Sequence, residues 1–337
     1  MIVLGIESSC DELAAAVLDS DGRTLRSSVV HTQADLHAQY GGVVPEVASR
    51  DHVMRVGHVI RRALADAALD PRDIGGIAVT SGPGLIGSLL CGVEAAKGLA
   101  FALKKPILGV NHLEGHIAAA SLEAEPPEPP FVALIVSGGH TSLILVTAHG
   151  GPYTRLGSTR DDAAGECFDK TAKILGLGYP GGAVIDRLAV TGDANRFPFP
   201  QLMPGKDNLD FSFSGLKTAA VRAVRDHGAP IEGQTLADFC ASFQDAIVDN
   251  LLKKAFRATK TSGAGALILA GGVAANSRLR ARALERGRRE QIRVTLPSRA
   301  NCTDNAAMIA RAGWVRLVRG ERDDLALTAR AHWPIAA

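Results

Sequence analysis

The chain has almost no net charge. Its 37 basic residues stand against 35 acidic ones, a balance of +2 at pH 7. That excludes the broad cationic coat of a protein that sheathes nucleic acid, and leaves room for a local basic patch. Cysteine is scarce and scattered. Cys10, Cys91, Cys167, Cys240 and Cys302 form no C-x-x-C pair, which argues against a disulfide framework and fits reduced thiols in a cytoplasmic protein. No apolar run approaches the about 20 residues of a membrane helix. The opening Met1-Ile2-Val3-Leu4-Gly5-Ile6-Glu7 lacks the basic region of a secretory signal. No glycine-rich loop ends in Gly-Lys-Ser/Thr, which excludes a P-loop, and the missing G-x-S-x-G elbow weakens a serine hydrolase.

What is present is enough apolar material, 46% of 337 residues, for two cores. Ile2 to Ile6 reads as a buried strand. Glu7 to Glu12 is a polar turn, Leu13 to Leu18 a second strand, Ser20-Asp21-Gly22 a turn, and Thr24 to Val30 a third strand. The same syntax returns with Phe131 to Val136, the turn Ser137-Gly138-Gly139-His140, Thr141 to Thr147, the turn Gly150-Gly151-Pro152, and Tyr153 to Leu156. The pattern predicts one supersecondary unit used twice. The prolines of Glu125 to Pro130 forbid helix and read as the connection between two lobes. Further strands, Ile74 to Thr80, Pro106 to Val110, Ala266 to Ala270 and Ile292 to Leu296, alternate with helical stretches and indicate an α/β class. The expected domains are residues 1–130 and 131–337, with the C-terminal segment able to pack back on the first.

Glycine turns follow several of these strands, where backbone N–H groups and helix N-termini can hold phosphate. Gly82-Pro83-Gly84-Leu85-Ile86-Gly87 matches the dinucleotide fingerprint. The next strand ends in Asn111 and offers no acid for a ribose, so Gly87, Gly92 and Gly98 are better read as sites of close helix packing. In Ala270-Gly271-Gly272-Val273-Ala274-Ala275-Asn276, paired glycines let a flat ring or phosphate approach the backbone, and Asn276 can read polar edges. An ordinary tight turn explains the same residues, as a hairpin turn explains Ser137-Gly138-Gly139.

His112 and His116 lie four apart, on one face of a helix at metal-ligand spacing, directly after a buried strand. A zinc protease would need glutamate beside one of the histidines, where this chain has Leu113 and Gly115. Glu114 lies about 200° round the helix from His112, on the wrong face for a base at the same metal. Asp304 precedes the helical stretch 306–318, and an N-cap is its simplest role.

Taken together these motifs are recognisable. Gly5-Ile6-Glu7-Ser8-Ser9-Cys10-Asp11-Glu12, Gly41-Gly42-Val43-Val44-Pro45-Glu46, the histidine pair, Val136-Ser137-Gly138-Gly139-His140, Phe168-Asp169-Lys170-Thr171, Asp210-Phe211-Ser212-Phe213-Ser214-Gly215-Leu216-Lys217, Ala270-Gly271-Gly272-Val273 and Cys302-Thr303-Asp304-Asn305 stand in one order. The chain resembles the tRNA N6-adenosine threonylcarbamoyltransferase family almost end to end. The resemblance implies a two-lobed actin-like fold (the acetate kinase, Hsp70 and actin class) with a ribonuclease-H-like sheet in each lobe. It implies one divalent metal, Fe2+ or Zn2+, on His112, His116 and Asp304, and an adenine nucleotide in the cleft, held by Ile135, Val136, Ser137, Gly138, Gly139, Asp169, Gly182 and Asn276, with Asp186 in the same cluster. The implied reaction moves threonylcarbamoyl from threonylcarbamoyl-adenylate to N6 of adenosine 37 in tRNAs reading codons that begin with A, releasing AMP. Asp11 or Glu12 is the expected acceptor of the N6 proton. The implied partners are tRNA and, in a bacterium, an inactive paralogue and a small ATPase, with no membrane. Arg278, Arg280, Arg282, Arg286, Arg288, Arg289 and Arg293 offer either a tRNA footprint or a solvated helix face, and the glycine-rich stretch Gly84 to Ala102 a partner surface. The competing readings are a metalloendopeptidase and a non-catalytic nucleotide-binding scaffold.

Overall fold

The structure is a computed structural model that describes residues 1–336 apart from 204, 206, 207 and 229. Two five-stranded sheets organise it. The first contains β1 (Val3–Glu7), β2 (Glu12–Leu18), β3 (Leu25–Thr32), β4 (Gly76–Gly82) and β5 (Ile107–Asn111) in the order β3-β2-β1-β4-β5. The second contains β6 (Phe131–Val136), β7 (Thr141–Val146), β8 (Tyr153–Ser158), β9 (Ala266–Ala270) and β10 (Arg293–Thr295) in the order β10-β9-β6-β7-β8. In each sheet the first three strands run antiparallel and the next two join in parallel. The repeated syntax of the sequence is thus a repeated topology, and the fold is α/β of the actin-like class.

The chain divides into two compact units. Unit 1 holds Met1–Pro127, Ala148–Pro152 and Pro297–Ala337; unit 2 holds Glu128–Thr147 and Tyr153–Leu296. The first crossing falls inside the proline run. Residues after 296 return to unit 1 because the Ala306–Val318 helix fills its core.

Strand alternation explains how that helix is placed. On one face of the first sheet Leu4, Ile6, Leu13, Val17, Ile77 and Val79 pack with Val59, Leu89 and Val93 of the Pro45–Asp66 and Ile86–Leu103 helices. On the other face Val3, Leu18, Leu108 and Val110 surround a patch of small residues, Gly5, Ala14, Ala16 and Ala78. A Cβ on Gly5 would lie 2.3 Å from Ala306 O and 2.7 Å from Ala310 N, and one on Gly313 would lie 2.2 Å from Ala78 Cβ. The Ala306–Val318 helix therefore lies directly on the sheet backbone, closer than a side-chain layer allows.

The Ile86–Leu103 helix differs from the sequence reading in two ways. A Cβ on Gly92 would meet Ser8 Oγ at 2.3 Å and one on Gly87 would meet Ser49 at 3.0 Å, as close packing requires, but Gly98 faces open space. The helix is also, by length and composition, apolar enough to cross a membrane. Its Leu89, Val93, Ala96 and Ala100 belong to the core of unit 1, while Ile86, Leu90 and Phe101 stay exposed.

Candidate metal centre and glycine cradle

In unit 1, β5 ends at Asn111, whose Oδ1 accepts from Leu113 N at 3.0 Å and so starts the His112–Ala119 helix. Gly115 lets this helix close on Met308 and Ile309, since a Cβ there would lie 2.6 Å from Ile309 Cδ1. That contact brings the histidines to Asp304, which precedes the neighbouring helix. His112 Nε2 lies 3.5 Å and His116 Nε2 3.2 Å from Asp304 Oδ1. Ligands about 2.1 Å from a shared metal at ordinary coordination angles stand about 3.0–3.4 Å apart; these two distances lie in or just beyond that range, and all three ligand atoms lie within 4.8 Å of one another. The N-cap role falls to Asn305 instead: its Oδ1 accepts from Met308 N at 3.0 Å.

The residues present suit a metal. Both ring nitrogens of His116 are buried without a hydrogen-bond partner, an arrangement that costs free energy unless a cation takes the lone pair. Glu7, which the sequence reading did not assign, is fully buried beside His112. Its Oε2 accepts from His112 Nδ1 at 3.1 Å and from Thr80 Oγ1 at 2.6 Å, and its Oε1 accepts from Ser9 N at 2.6 Å. A carboxylate on Nδ1 leaves Nε2 as the free ligand atom. Burial would lower His112, but the Asp304 and Glu7 carboxylates outweigh it and hold it up at about 9. Burial, Asp304 and Asp11 push Glu12 up to about 9 as well. In the metal-free site the His112 imidazolium answers these acids, and a divalent cation would replace its charge when the ring gives up that proton to ligate. Glu7→Gln is expected to lower metal affinity about 10- to 100-fold, measured by chelator competition; unchanged affinity would remove Glu7 from this role.

Glu114 points elsewhere. Its Oε2 lies 3.3 Å from Arg316 Nη1, so the geometric objection to a zinc protease holds. The thiols are also quiet. Burial and the nearby Asp11 and Asp304 carboxylates push Cys10 well up, and burial carries Cys167 and Cys240 to about 12.

In unit 2, β6 and β9 run parallel and end together, with Ile135 opposite Ala270. Ile135 and Val136 have fully buried side chains, so only their backbone can meet a ligand. Gly271 has φ +89°, and its Cβ would sit 2.5 Å from Val136 O, so glycine is required there by approach and conformation alike. Gly138, Gly139 and Gly272 are different: nothing lies within 4 Å of where a Cβ would stand. Neither packing nor dihedral angle demands glycine at these three positions. They form an open floor at the ends of β6 and β9.

Around this floor the other expected residues act on the protein itself. Asp169 Oδ1 accepts from Gly181 N at 2.7 Å, at the start of the Gly181–Leu188 helix, and Gly182 makes ordinary contact with Phe168. Asp186 accepts from Ser277 N and Oγ. Asn276 caps the Ser277–Glu290 helix through Leu279 N at 2.9 Å, and its amide donates to the buried Gln244 at 2.7 Å. The sequence reading missed Gln244, which sits mid-helix with no motif around it.

Part of the arginine stretch is paired with acids. Arg278 and Arg282 pair with Asp245 at 2.9 Å, Arg282 also with Asp249, and Arg286 with Glu290. This favours the solvated face. Neutralising Arg278, Arg282 and Arg286 together should change the salt slope of tRNA affinity by less than about 0.5, where three lost phosphate contacts would remove about 2–3.

A family model described as TsaD, tRNA N6-adenosine threonylcarbamoyltransferase, matches residues 24–311. The chain belongs to this family. A transferase of that name from Syntrophus aciditrophicus is 54% identical over 99% of this chain and 98% of its own. Another from Anaeromyxobacter dehalogenans (strain 2CP-C) is 57% identical, covering 98% of each. Among solved structures, component A of the (R)-2-hydroxyglutaryl-CoA dehydratase of Acidaminococcus fermentans superposes with a TM-score of 0.55 at 16% identity, over 94% of this chain and 99% of that one. It shares the fold alone. Membership in the threonylcarbamoyltransferase family leaves the endopeptidase and scaffold readings without support.

Proposed function

We propose that this chain transfers threonylcarbamoyl from threonylcarbamoyl-adenylate to N6 of an adenosine beside the tRNA anticodon. Family membership across most of the chain carries the reading, and the His112, His116 and Asp304 cluster supports it. In the reaction the N6 lone pair attacks the threonylcarbamoyl carbonyl. The carbonyl–phosphate C–O bond breaks, AMP leaves with that electron pair, and N6 gives up a proton. The donor is already activated, so the transfer needs no covalent nucleophile on the protein.

His112, His116 and Asp304 would hold the divalent ion. Two imidazoles and one carboxylate with open positions suit Fe2+, with Zn2+ as the alternative. When bound, it supplies a Lewis acid for a carbonyl oxygen. Glu7 fixes the His112 ring. Asp11, buried at the turn before β2, takes the N6 proton, with Glu12 beside it as the alternative acceptor. In unit 2 the Gly138, Gly139 and Gly272 backbone holds the adenylate, with Asp169 and Asn276 bracing the helices behind it. Gly138→Ala and Gly272→Ala should each keep stability within about 0.5 kcal/mol and raise the Kd for an adenine nucleotide about tenfold, a loss of about 1.4 kcal/mol. Titration calorimetry that finds an unchanged Kd would place the nucleotide elsewhere.

The exposed Ile86, Leu90 and Phe101, with Val53 and Met54 on the neighbouring helix, suit an apolar protein partner such as the paralogue. The proposed setting is the cytoplasm. The deciding experiment supplies threonylcarbamoyl-adenylate and unmodified tRNA, with and without partner proteins, and follows labelled threonine. Label in the tRNA supports transfer; none, under conditions where a relative is active, sinks it.

A further inference from the structure

The polar turn between β1 and β2 has three consecutive carbonyls, each held by a donor from a different element. Ser9 O accepts from Leu85 N at 2.8 Å, and Asp11 O accepts from Gln33 N at 3.2 Å. Cys10 O, between them, accepts from His52 Nε2 at 3.0 Å. The outer two donors are backbone groups that almost any residue would provide. Only the middle one is a side chain, and it reaches the turn from the Pro45–Asp66 helix.

That side chain is fixed by a buried polar chain. A carbonyl can only accept, so His52 Nε2 carries the hydrogen and Nδ1 is left to accept. Nδ1 faces Gln33 Nε2 at 2.8 Å. The same Gln33 amide nitrogen also faces Asp51 Oδ2 at 3.1 Å and Ala48 O at 3.2 Å. Gln33 Oε1 accepts from His37 Nε2 at 3.0 Å, and His37 Nδ1 accepts from Val44 N. His31 completes the chain on Asp51 at 2.7 Å. Gln33, His37 and His52 are at most 2% exposed. The Gln33 amino group has two hydrogens for these three acceptors, and His52 Nδ1 is the nearest of them; the contacts agree on one orientation of the Gln33 amide and one tautomer of His52. Apolar side chains would fill this space at lower desolvation cost, so the network serves geometry more than packing.

What it orients is the turn that bears the chemistry. Ser9 Oγ sits 3.1 Å from His112 Nδ1, and the carboxyls of Asp11 and Glu12 follow directly. We propose that His52, locked by Gln33, is the positioning residue that sets the Cys10–Glu12 turn and thereby aims the Asp11 carboxylate at the acceptor proton. His52 acts through the backbone and does not itself meet substrate. The catalytic consequence rests on the transferase reading above.

The test compares His52→Ala, His52→Gln and Gln33→Leu with the wild type in the full chain with its partner set. Displacing a catalytic group by about 1 Å costs about 100-fold. His52→Ala should accordingly lower kcat about 10- to 100-fold, with KM for tRNA within about twofold and metal content unchanged. His52→Gln, which keeps an N–H donor of similar reach, should recover most of that loss. An unchanged kcat in His52→Ala overturns the proposal. So do equal losses in His52→Ala and His52→Gln that track a falling Tm, since that marks a structural role. If the wild type itself transfers nothing, the transferase reading has failed, and nitrogen NMR of His52 with amide exchange decides the clamp alone. The Nε2–H tautomer, with faster exchange at residues 9–12 in His52→Ala, supports it; the Nδ1–H tautomer or unaltered exchange refutes it.

Discussion

Replacing His112 and His116 together by alanine is expected to abolish metal binding and lower transfer to tRNA at least about a thousandfold. The double variant leaves Asp304 as the only ligand, and a lone carboxylate does not retain a transition metal. A Lewis acid on a reacting carbonyl contributes several kcal/mol, and about 4 kcal/mol is a thousandfold in rate. The helix should survive, because alanine is the best helix former and Asn111 still caps it. Glu7 then lies buried without its imidazole, which takes about 1–3 kcal/mol from stability. Metal per chain, label in tRNA and Tm separate these effects; wild-type label in the variant would sink the metal's part in the chemistry. The pH dependence has a definite sign. His112 is held up at about 9 in the metal-free site, and a ligating imidazole must lose that proton. Apparent metal affinity should therefore rise with pH until about 9 and fall as the solution is acidified.

The second large effect is expected at Gly5. Gly5→Val places its branch where Ala306 O and Ala310 N already stand. These are backbone atoms, which cannot turn aside as a flexible side-chain tip would. Overpacking of this kind costs about 1–3 kcal/mol or more, enough to show as a clear drop in the denaturant midpoint. Metal affinity should fall with it, because pushing Ala306 off the sheet moves Asp304 two residues before it. Lost stability with intact metal affinity would show that the triad does not depend on the depth at which the helix sits.

Much of this was legible in the chain. Among the described residues the ten strands fall on segments read from the sequence, most of them short apolar runs, with β3, β8 and β10 more polar, and the doubled topology follows from their repeated syntax. The histidine pair was legible as a candidate because both residues sit on one helix. What was not legible depends on distant partners. Glu7 reads as the end of a strand until His112, 105 residues away, comes beside it. Asp304 looks like a cap by its place alone, and only the family resemblance joins it to the histidines; Asn305 does the capping. Arg278 and Arg282 look like bare cations until Asp245 and Asp249 arrive from another helix. Gly98 looked like a packing glycine because spacing alone cannot tell which turn of a helix meets a neighbour.

The discontinuity of unit 1 has a consequence for biosynthesis. A ribosome makes β1 to β5 first, then nearly all of unit 2, and only afterwards the Ala306–Val318 helix. Until residue 318 has emerged, Gly5, Ala14, Ala16 and Ala78 have nothing to cover them, and a nascent chain of that length is exposed to misassembly. Unit 2 has all its strands earlier. On the proposed ligand set the site cannot load before Asp304 is translated, so the ion would be acquired near the end of synthesis, and a message cut short anywhere between His116 and Asp304 yields a chain with both histidines and no third ligand.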